Sequence, residues 1–317
     1  MYWYIKYPLL FLLVFALGGL AWWGLRHRSG PPDTAVTPSP AAAVAPAATP
    51  TTGQGSPLTP LSQPTKPVVV ADDPQLRAAF EKLRAEEPLA ARELAFRYLN
   101  TAQPAELSPL WLRAAAIISH ANIQLFTTNT PAPEKVRCVI QPGDTLIGIA
   151  NRYTTTVAAI ERANQLNSAR MAIYPGLVLN IYPGPWSIVV VKSKFGLLVR
   201  HGDRLFKYYR VGIGRQNRTP VGTFRVNSKV PRPVWTPPGR PGVPFGNPEN
   251  VLGTRWLGLQ PIEKTDSTLK GFGIHGTWQP DSIGTAASEG CVRMKNDEVN
   301  ELFDLVPIGT RVEIRDE

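Results

Sequence analysis

The feature that most restricts the fold is a division near the start of the chain. Residues 7–25 form an uncharged, largely apolar run, and residues 29–71 are rich in Pro, Ala and Thr with almost no charge. A helix needs about 20 apolar residues to cross the hydrocarbon of a bilayer. The run therefore predicts a transmembrane anchor with its flanks over residues 1–28. Tyr2, Trp3 and Tyr4 would sit at one interface, Trp22 and Trp23 at the other. A cleavable signal peptide is the rival reading, but no small-x-small cleavage pattern clearly follows the run. Residues 29–71 carry too few large apolar side chains to offset the entropy of ordering them. They read as a disordered linker, partly polyproline-like, whose use is reach.

At 317 residues the chain is long enough for two or three small domains. Asp73-Pro74 has the form of a helix N-cap followed by proline, and Leu76, Ala79, Phe80 and Leu83 recur at helical spacing. Pro88 and Ser108-Pro109 open two further helices, lined by Leu94, Ala95, Tyr98 and Leu99 and by Leu112, Ala115 and Ile118. Residues 72–130 are thus a helical segment, marginal alone and suited to packing on a neighbour. Beyond Thr130-Pro131-Ala132-Pro133, a strand near Cys138, a helix capped near Asp144, a helix over residues 157–164 and a strand through Leu177-Val178-Leu179 give a βααβ outline. From Trp186, short β-rich runs separated by turns predict a sandwich or partial barrel. The fold class is multi-domain α+β. Residues 230–250, rich in Pro and Gly, read as an ordered flap or a plain surface loop, Trp256 and Leu259 as core, and Asn296 as the cap of a short helix.

Residues 271–296 carry the chemistry. They hold Cys291, one of two cysteines, and His275, one of four histidines. A thiol becomes a useful nucleophile when its thiolate is stabilised, and imidazole is the usual base at neutral pH. Phe272 and Ile274 mark alternate positions of a strand ending at His275. Cys291-Val292-Arg293-Met294 reads as a second strand, with Cys291 and Arg293 on one face and Val292 and Met294 toward the core. Gly290 lets a substrate carbonyl approach the backbone N–H groups around Cys291, and Arg293 can pair with a carboxylate while favouring the thiolate. A buried cysteine can instead be a small hydrophobe or a metal ligand. The segment offers no second Cys or His, and His27, His120 and His201 lie elsewhere, so neither metal nor cofactor is expected. The net charge of +10 suits an anionic membrane surface or acidic wall polymers. Nucleic acid is the weakest partner, because no basic cluster interleaves with aromatics.

The phrases His275-Gly276-Thr277, Ser282-Ile283-Gly284 and the run from Ser288 to Met294, SEGCVRM, resemble the catalytic domain of the bacterial L,D-transpeptidases, with Thr219-Pro220-Val221-Gly222-Thr223-Phe224 upstream. That resemblance implies a mostly-β domain over residues 186–317, with Cys291 attacking a tetrapeptide stem and His275 taking its proton. It also implies that the Gly276 carbonyl orients the imidazole and that Ser288 and Arg293 line the substrate site with Gly290. One departure is Glu289, where many members carry a second histidine. Pro142-Gly143-Asp144-Thr145-Leu146, Ile149 to Tyr153 (IANRY) and Tyr174-Pro175-Gly176 resemble a LysM domain, over residues 134–184. This implies a glycan-binding groove along Gly143, Asp144, Thr145, Leu146, Ile173 and Tyr174. With the anchor predicted from residues 7–25, the resemblances imply an enzyme on the periplasmic or extracytoplasmic side of the membrane that acts on peptidoglycan, transferring the acyl group to an amine. The alternatives are an L,D-carboxypeptidase and a catalytically silent wall-binding protein.

Overall fold

The structure, a computed structural model, describes residues 73–166, 172–237 and 239–317. The expected anchor and linker, residues 1–71, lie outside the described residues. Among the described residues, no helix is long and apolar enough to cross a membrane.

Three helices come first: α1 (Pro74–Arg84), α2 (Pro88–Ala102) and α3 (Pro109–Thr127), each with proline in its first turn. The Asp73 carboxylate caps α1, accepting from the N–H groups of Gln75 and Leu76 at 2.9 and 3.1 Å. Their apolar stripes do not close on themselves. Leu76, Tyr98, Trp111 and Ile118 share one core with Val189, Val191, Leu198 and Leu205 of the β domain that begins at Trp186.

The next unit is β1 (Val136–Val139), α4 (Leu146–Arg152), α5 (Val157–Ala163) and β2 (Val178–Ile181), with β1 and β2 antiparallel. Ile149, Ile160, Leu179, Ile181 and Cys138 form its core. Helix α5 also packs into the β domain. Ala159 and Ala163 belong to the core of that domain, and Arg162 Nε donates to Asp304 Oδ2 at 2.9 Å.

The β domain contains β3 (Trp186–Val191), β4 (Gly196–His201), β5 (Arg204–Arg210), β6 (Ile213–Gly214), β7 (Gly222–Pro231), β8 (Arg255–Pro261), β9 (Gly273–His275), β10 (Ala286–Ser288), β11 (Val292–Arg293), α6 (Asn296–Leu305) and β12 (Arg311–Arg315). Eight of the strands form one sheet in the order β11-β9-β8-β7-β12-β3-β4-β5, and β6 pairs with β10 separately. The chain beyond β5 returns to the far edge, where Gly212 and Arg293 exchange backbone hydrogen bonds of 2.9 and 2.8 Å. Of the two shapes expected, the sheet therefore takes the partial barrel. Strand β3 is buried on both faces: Ile188 and Val190 point to the barrel core, Val189 and Val191 to the helices. Each such side chain contributes about 1.5–3 kcal/mol by leaving water.

Outer strand β5 presents unpaired backbone groups, which α3 satisfies. The Asn122 amide donates to the carbonyls of Leu205 and Phe206 at 3.2 and 2.9 Å, and Ser119 Oγ accepts from Tyr208 N–H at 3.2 Å. Residues 232–237 and 239–250 form an ordered loop. Trp235 and Val243 pair through two backbone bonds, and the buried Asn250 amide donates to the carbonyls of Pro233 and Val243, both at 2.9 Å. Asn296 departs from its expected role. Lys295 is the N-cap of α6, and the Asn296 side chain instead accepts from Thr254 N–H at 3.1 Å.

Candidate active site

Two short strands set the geometry. β9 and β11 are parallel neighbours, with Val292 opposite Ile274 and Arg293 opposite His275. Continuing that register sets Cys291 opposite Gly273. Side chains alternate along each strand, so Cys291, Arg293 and His275 share one face while Ile274, Val292 and Met294 enter the core at 1 % exposure or less. The Met294 N–H donates to the His275 carbonyl at 2.9 Å, extending the match by one residue.

His275 is buried, and its Nδ1 lies 2.6 Å from the carbonyl oxygen of Gly276. A carbonyl only accepts, so Nδ1 carries the proton and Nε2 presents a lone pair. The indole of Trp256, from β8, stacks on the ring at 5.9 Å between centroids and 23° between planes. Trp256 is only half-buried, so it belongs to the site and not to the core, whereas Leu259 is a core residue. Burial pushes the imidazole pKa down to about 4; the Gly276 carbonyl opposes this and Arg293 adds to it.

Cys291 is half-buried and Cys138 buried, and neither is bridged. The Cys291 thiol donates to the Gly271 carbonyl at 3.7 Å. Burial pushes the thiol pKa up, opposed by a backbone hydrogen bond at Gly273 and by the Arg293 guanidinium. Around neutral pH the pair is therefore thiol and neutral imidazole. Arg293 Nε is buried without a hydrogen-bond partner among the described residues.

The loop before Cys291 is stitched from within. Ser288 Oγ accepts from Gly290 N–H at 3.1 Å and donates to the Cys291 carbonyl at 2.6 Å, so its hydroxyl holds the loop that carries Cys291. Gly290 has φ +138°, and a Cβ there would come 2.7 Å from the Phe272 ring. Thr219 has no local pattern that marks it for this role. Nearly fully buried, it accepts from Gly214 N–H at 2.7 Å and donates to the Gly290 carbonyl at 2.9 Å. Glu289 lies on the outside, where its carboxylate pairs with Arg215 at 2.5 Å and with Arg218.

The βααβ unit assigns local work to several of its expected glycan residues. Asp144 accepts from Gln141 N–H and Arg152 at 2.9 and 2.7 Å, which lowers its pKa. Thr145 caps α4, while Leu146 and Ile173 pack against the unit's core. Gly143 has φ +85°, a turn conformation open to glycine. Tyr174 is 60 % exposed, and so is Ile147 at 67 %, a residue outside the expected glycan set.

A separate cavity of about 700 Å³ lies between the helices and β4–β5; no Cys291 or His275 atom lines it, and its Glu93 and Arg204 pair with each other. Among the described residues, no three His, Cys, Asp or Glu side chains are grouped to hold a metal.

Comparison with known proteins agrees with this architecture. Residues 185–314 match the L,D-transpeptidase catalytic domain family, and residues 138–181 match the LysM domain family. YkuD of Bacillus licheniformis, which carries the name of an L,D-transpeptidase, is 36 % identical over 182 residues, covering 55 % of this chain and 96 % of that protein. YqjB of Bacillus subtilis, similarly named, is 38 % identical over 139 residues, covering 44 % of this chain and 76 % of its own. Among solved structures, an L,D-transpeptidase from Mycobacterium smegmatis is 18 % identical with a TM-score of 0.33, covering 44 % of this chain and 63 % of that one, a likeness too weak to add anything. The chain belongs to the L,D-transpeptidase family and carries a LysM domain.

Proposed function

We propose that the protein is a membrane-anchored peptidoglycan L,D-transpeptidase with Cys291 as nucleophile and His275 as general base. Residues 1–28 hold it at the membrane with the catalytic domain on the extracytoplasmic side, and the LysM domain docks on wall glycan. The observation that carries the reading is the hydrogen bond from His275 Nδ1, at the end of the strand paired with β11, to the Gly276 carbonyl, which makes Nε2 the ring's basic nitrogen.

Because the resting pair is neutral, proton transfer accompanies attack. The Cys291 sulfur adds to the carbonyl between the diamino acid and the terminal D-alanine of a tetrapeptide stem as its proton passes to Nε2. The Gly276 carbonyl stabilises the imidazolium that forms. Gly290 N–H is already donated to Ser288, which leaves the Cys291 N–H as the candidate oxyanion donor. We assign Arg293, whose Nε has no hydrogen-bond partner among the described residues, to a substrate carboxylate. Collapse breaks the C–N bond, the imidazolium protonates the departing D-alanine amine, and a thioester remains. An acceptor amine then forms the new amide and returns the thiol. Water in its place would give the L,D-carboxypeptidase outcome.

The test is incubation of the purified chain with disaccharide-tetrapeptide muropeptides, followed by mass spectrometry. Cross-linked dimers that vanish with Cys291→Ala support transfer. Trimmed tripeptides without dimers assign the carboxypeptidase outcome, and products that survive Cys291→Ala overturn the mechanism.

A further inference from the structure

We propose that the cavity between α2, the start of α3 and the β4–β5 hairpin binds a neutral saccharide, apart from both Cys291 and the groove expected in the βααβ unit. The inference goes beyond the transpeptidase reading and needs no chemistry at Cys291. The cavity holds about 700 Å³, within the roughly 300–1,000 Å³ of small-molecule sites. A plain packing seam between helices and sheet is lined by apolar side chains. This one carries three arginines, Arg97, Arg200 and Arg204, against three carboxylates, Glu93, Glu106 and Asp203. Part of that lining is fixed in advance. Arg204 lies over the Phe96 ring, 4.0 Å from its centre, and its Nη2 donates to both Glu93 oxygens at 3.0 and 2.8 Å. Glu106 holds Arg200 at 3.6 Å and also pairs with Arg315. Arg97, Asn100 and Asp203 make no side-chain hydrogen bond or ion pair among the described residues, so their donors and acceptors are open to a ligand.

A smaller recess of about 40 Å³ adjoins the cavity, with Phe96, Arg204 and Leu205 lining both. It exists only where the three units meet. Arg92 comes from α2, Glu134 from the chain before β1, Tyr182 from the residue after β2 and Phe206 from β5. Tyr182 is 3 % exposed, and its buried hydroxyl has no hydrogen-bond partner among the described residues. Leaving such a group unmatched costs about 1–3 kcal/mol. Burial, then the Glu134 carboxylate, pushes the phenol pKa up and Arg92 opposes them, so the hydroxyl stays neutral within charge range of both. The recess exceeds the roughly 10–15 Å³ that one water needs, which is room for a ligand hydroxyl.

The charges choose the ligand. Three positive and three negative groups together favour neither an anion nor a cation. Guanidinium, carboxylate and amide are each planar, with paired donors or acceptors that suit neighbouring hydroxyls. Trp111 adds an apolar wall for the C–H face of a ring. A neutral polyhydroxyl ring meets all of these at once. Its hydroxyls both donate and accept, so one of them in the recess would match the Tyr182 phenol.

The test uses the full chain and chitotetraose, a neutral saccharide, with hydrogen exchange read by mass spectrometry so that separate sites are resolved. Residues 100–111 and 200–206 should gain protection, with a midpoint of their own, distinct from any at residues 143–147 and 173–177. Arg97→Ala/Asp203→Ala removes two exposed, unpaired groups and should raise the cavity's midpoint about tenfold, the loss of charge-assisted hydrogen bonds. Tyr182→Phe, which keeps the ring's packing, should raise the same midpoint severalfold. No protection at the cavity in millimolar chitotetraose overturns the proposal. Protection that both variants leave unchanged overturns the placement of the ligand. Protection by the zwitterionic dipeptide D-alanyl-D-alanine, with none by chitotetraose, overturns the saccharide assignment.

Discussion

Lowering the pH probes the buried imidazole through stability, with no substrate present. His275 titrates at about 4 in the folded protein against an ordinary 6.5. Between those values the unfolded chain binds a proton that the folded one does not, so stability rises with pH. The contribution is complete above about pH 6.5 and lost as pH falls through 4; a shift of that size corresponds to about 3 kcal/mol. A second group opposes it. Burial pushes the Glu298 carboxyl up to about 7 from 4.5, so its contribution is present below 4.5 and lost as pH rises through 7. That also corresponds to about 3 kcal/mol. The two terms offset each other between pH 4.5 and 6.5, and the wild-type profile alone hides both. Urea unfolding should therefore be compared across three proteins. His275→Asn, which keeps a donor for the Gly276 carbonyl, exposes the Glu298 term and should become relatively more stable toward pH 4.5. Glu298→Gln exposes the His275 term and should become relatively less stable over the same range. Variant curves parallel to the wild type would refute the reasoning, because ionisations shared by all three proteins cancel in the differences.

Three further outcomes are expected of the same structure. Alkylation of Cys291 by iodoacetamide should still be accelerating above about pH 8.5, the free-thiol value, because burial raises the thiol pKa, and Arg293→Gln should move the profile to higher pH; a plateau at lower pH contradicts this. Thr219→Val removes the donor to Gly290 and the acceptor for Gly214, and should cost about 1–3 kcal/mol in chemical denaturation while slowing acylation. Asn122→Ala leaves the Leu205 and Phe206 carbonyls without their side-chain donor and should cost a similar amount, with hydrogen exchange rising along β5 rather than β9.

The fold and the site differ in how much of each is legible in residue order. Cys291, Arg293, Val292 and Met294 sort to two faces because strand period alone decides it. His275 and the Gly276 carbonyl are neighbours in the chain, so their hydrogen bond needs no tertiary information. Thr219 meets Gly290 across 71 residues, and no local pattern announces such a contact. Trp256 reads as core because an aromatic residue in a strand usually is; only the register of β8 against β9, which sets it opposite His275, turns it toward the site. The expected role of Asn296 fails for a related reason, since its side chain can cap its own helix or reach Thr254, and tertiary contact chooses the second. The helical stripes announce a packing surface without naming its partner. That partner is the outer face of β3 to β5, legible only once β3 is seen to be apolar on both sides.

The central claim is that the Cys291 sulfur forms an acyl bond with cell-wall peptide. The most direct measurement is an acid-quenched intact mass after mixing with a tetrapeptide-stem donor, with peptide mapping and quantitation of released D-alanine. The account predicts one stem, less its terminal residue, bound through a thioester on the peptide containing Cys291, with one D-alanine released per adduct. D-alanine release with Cys291 unmodified at every time point, or an adduct mapped to another residue, would contradict it.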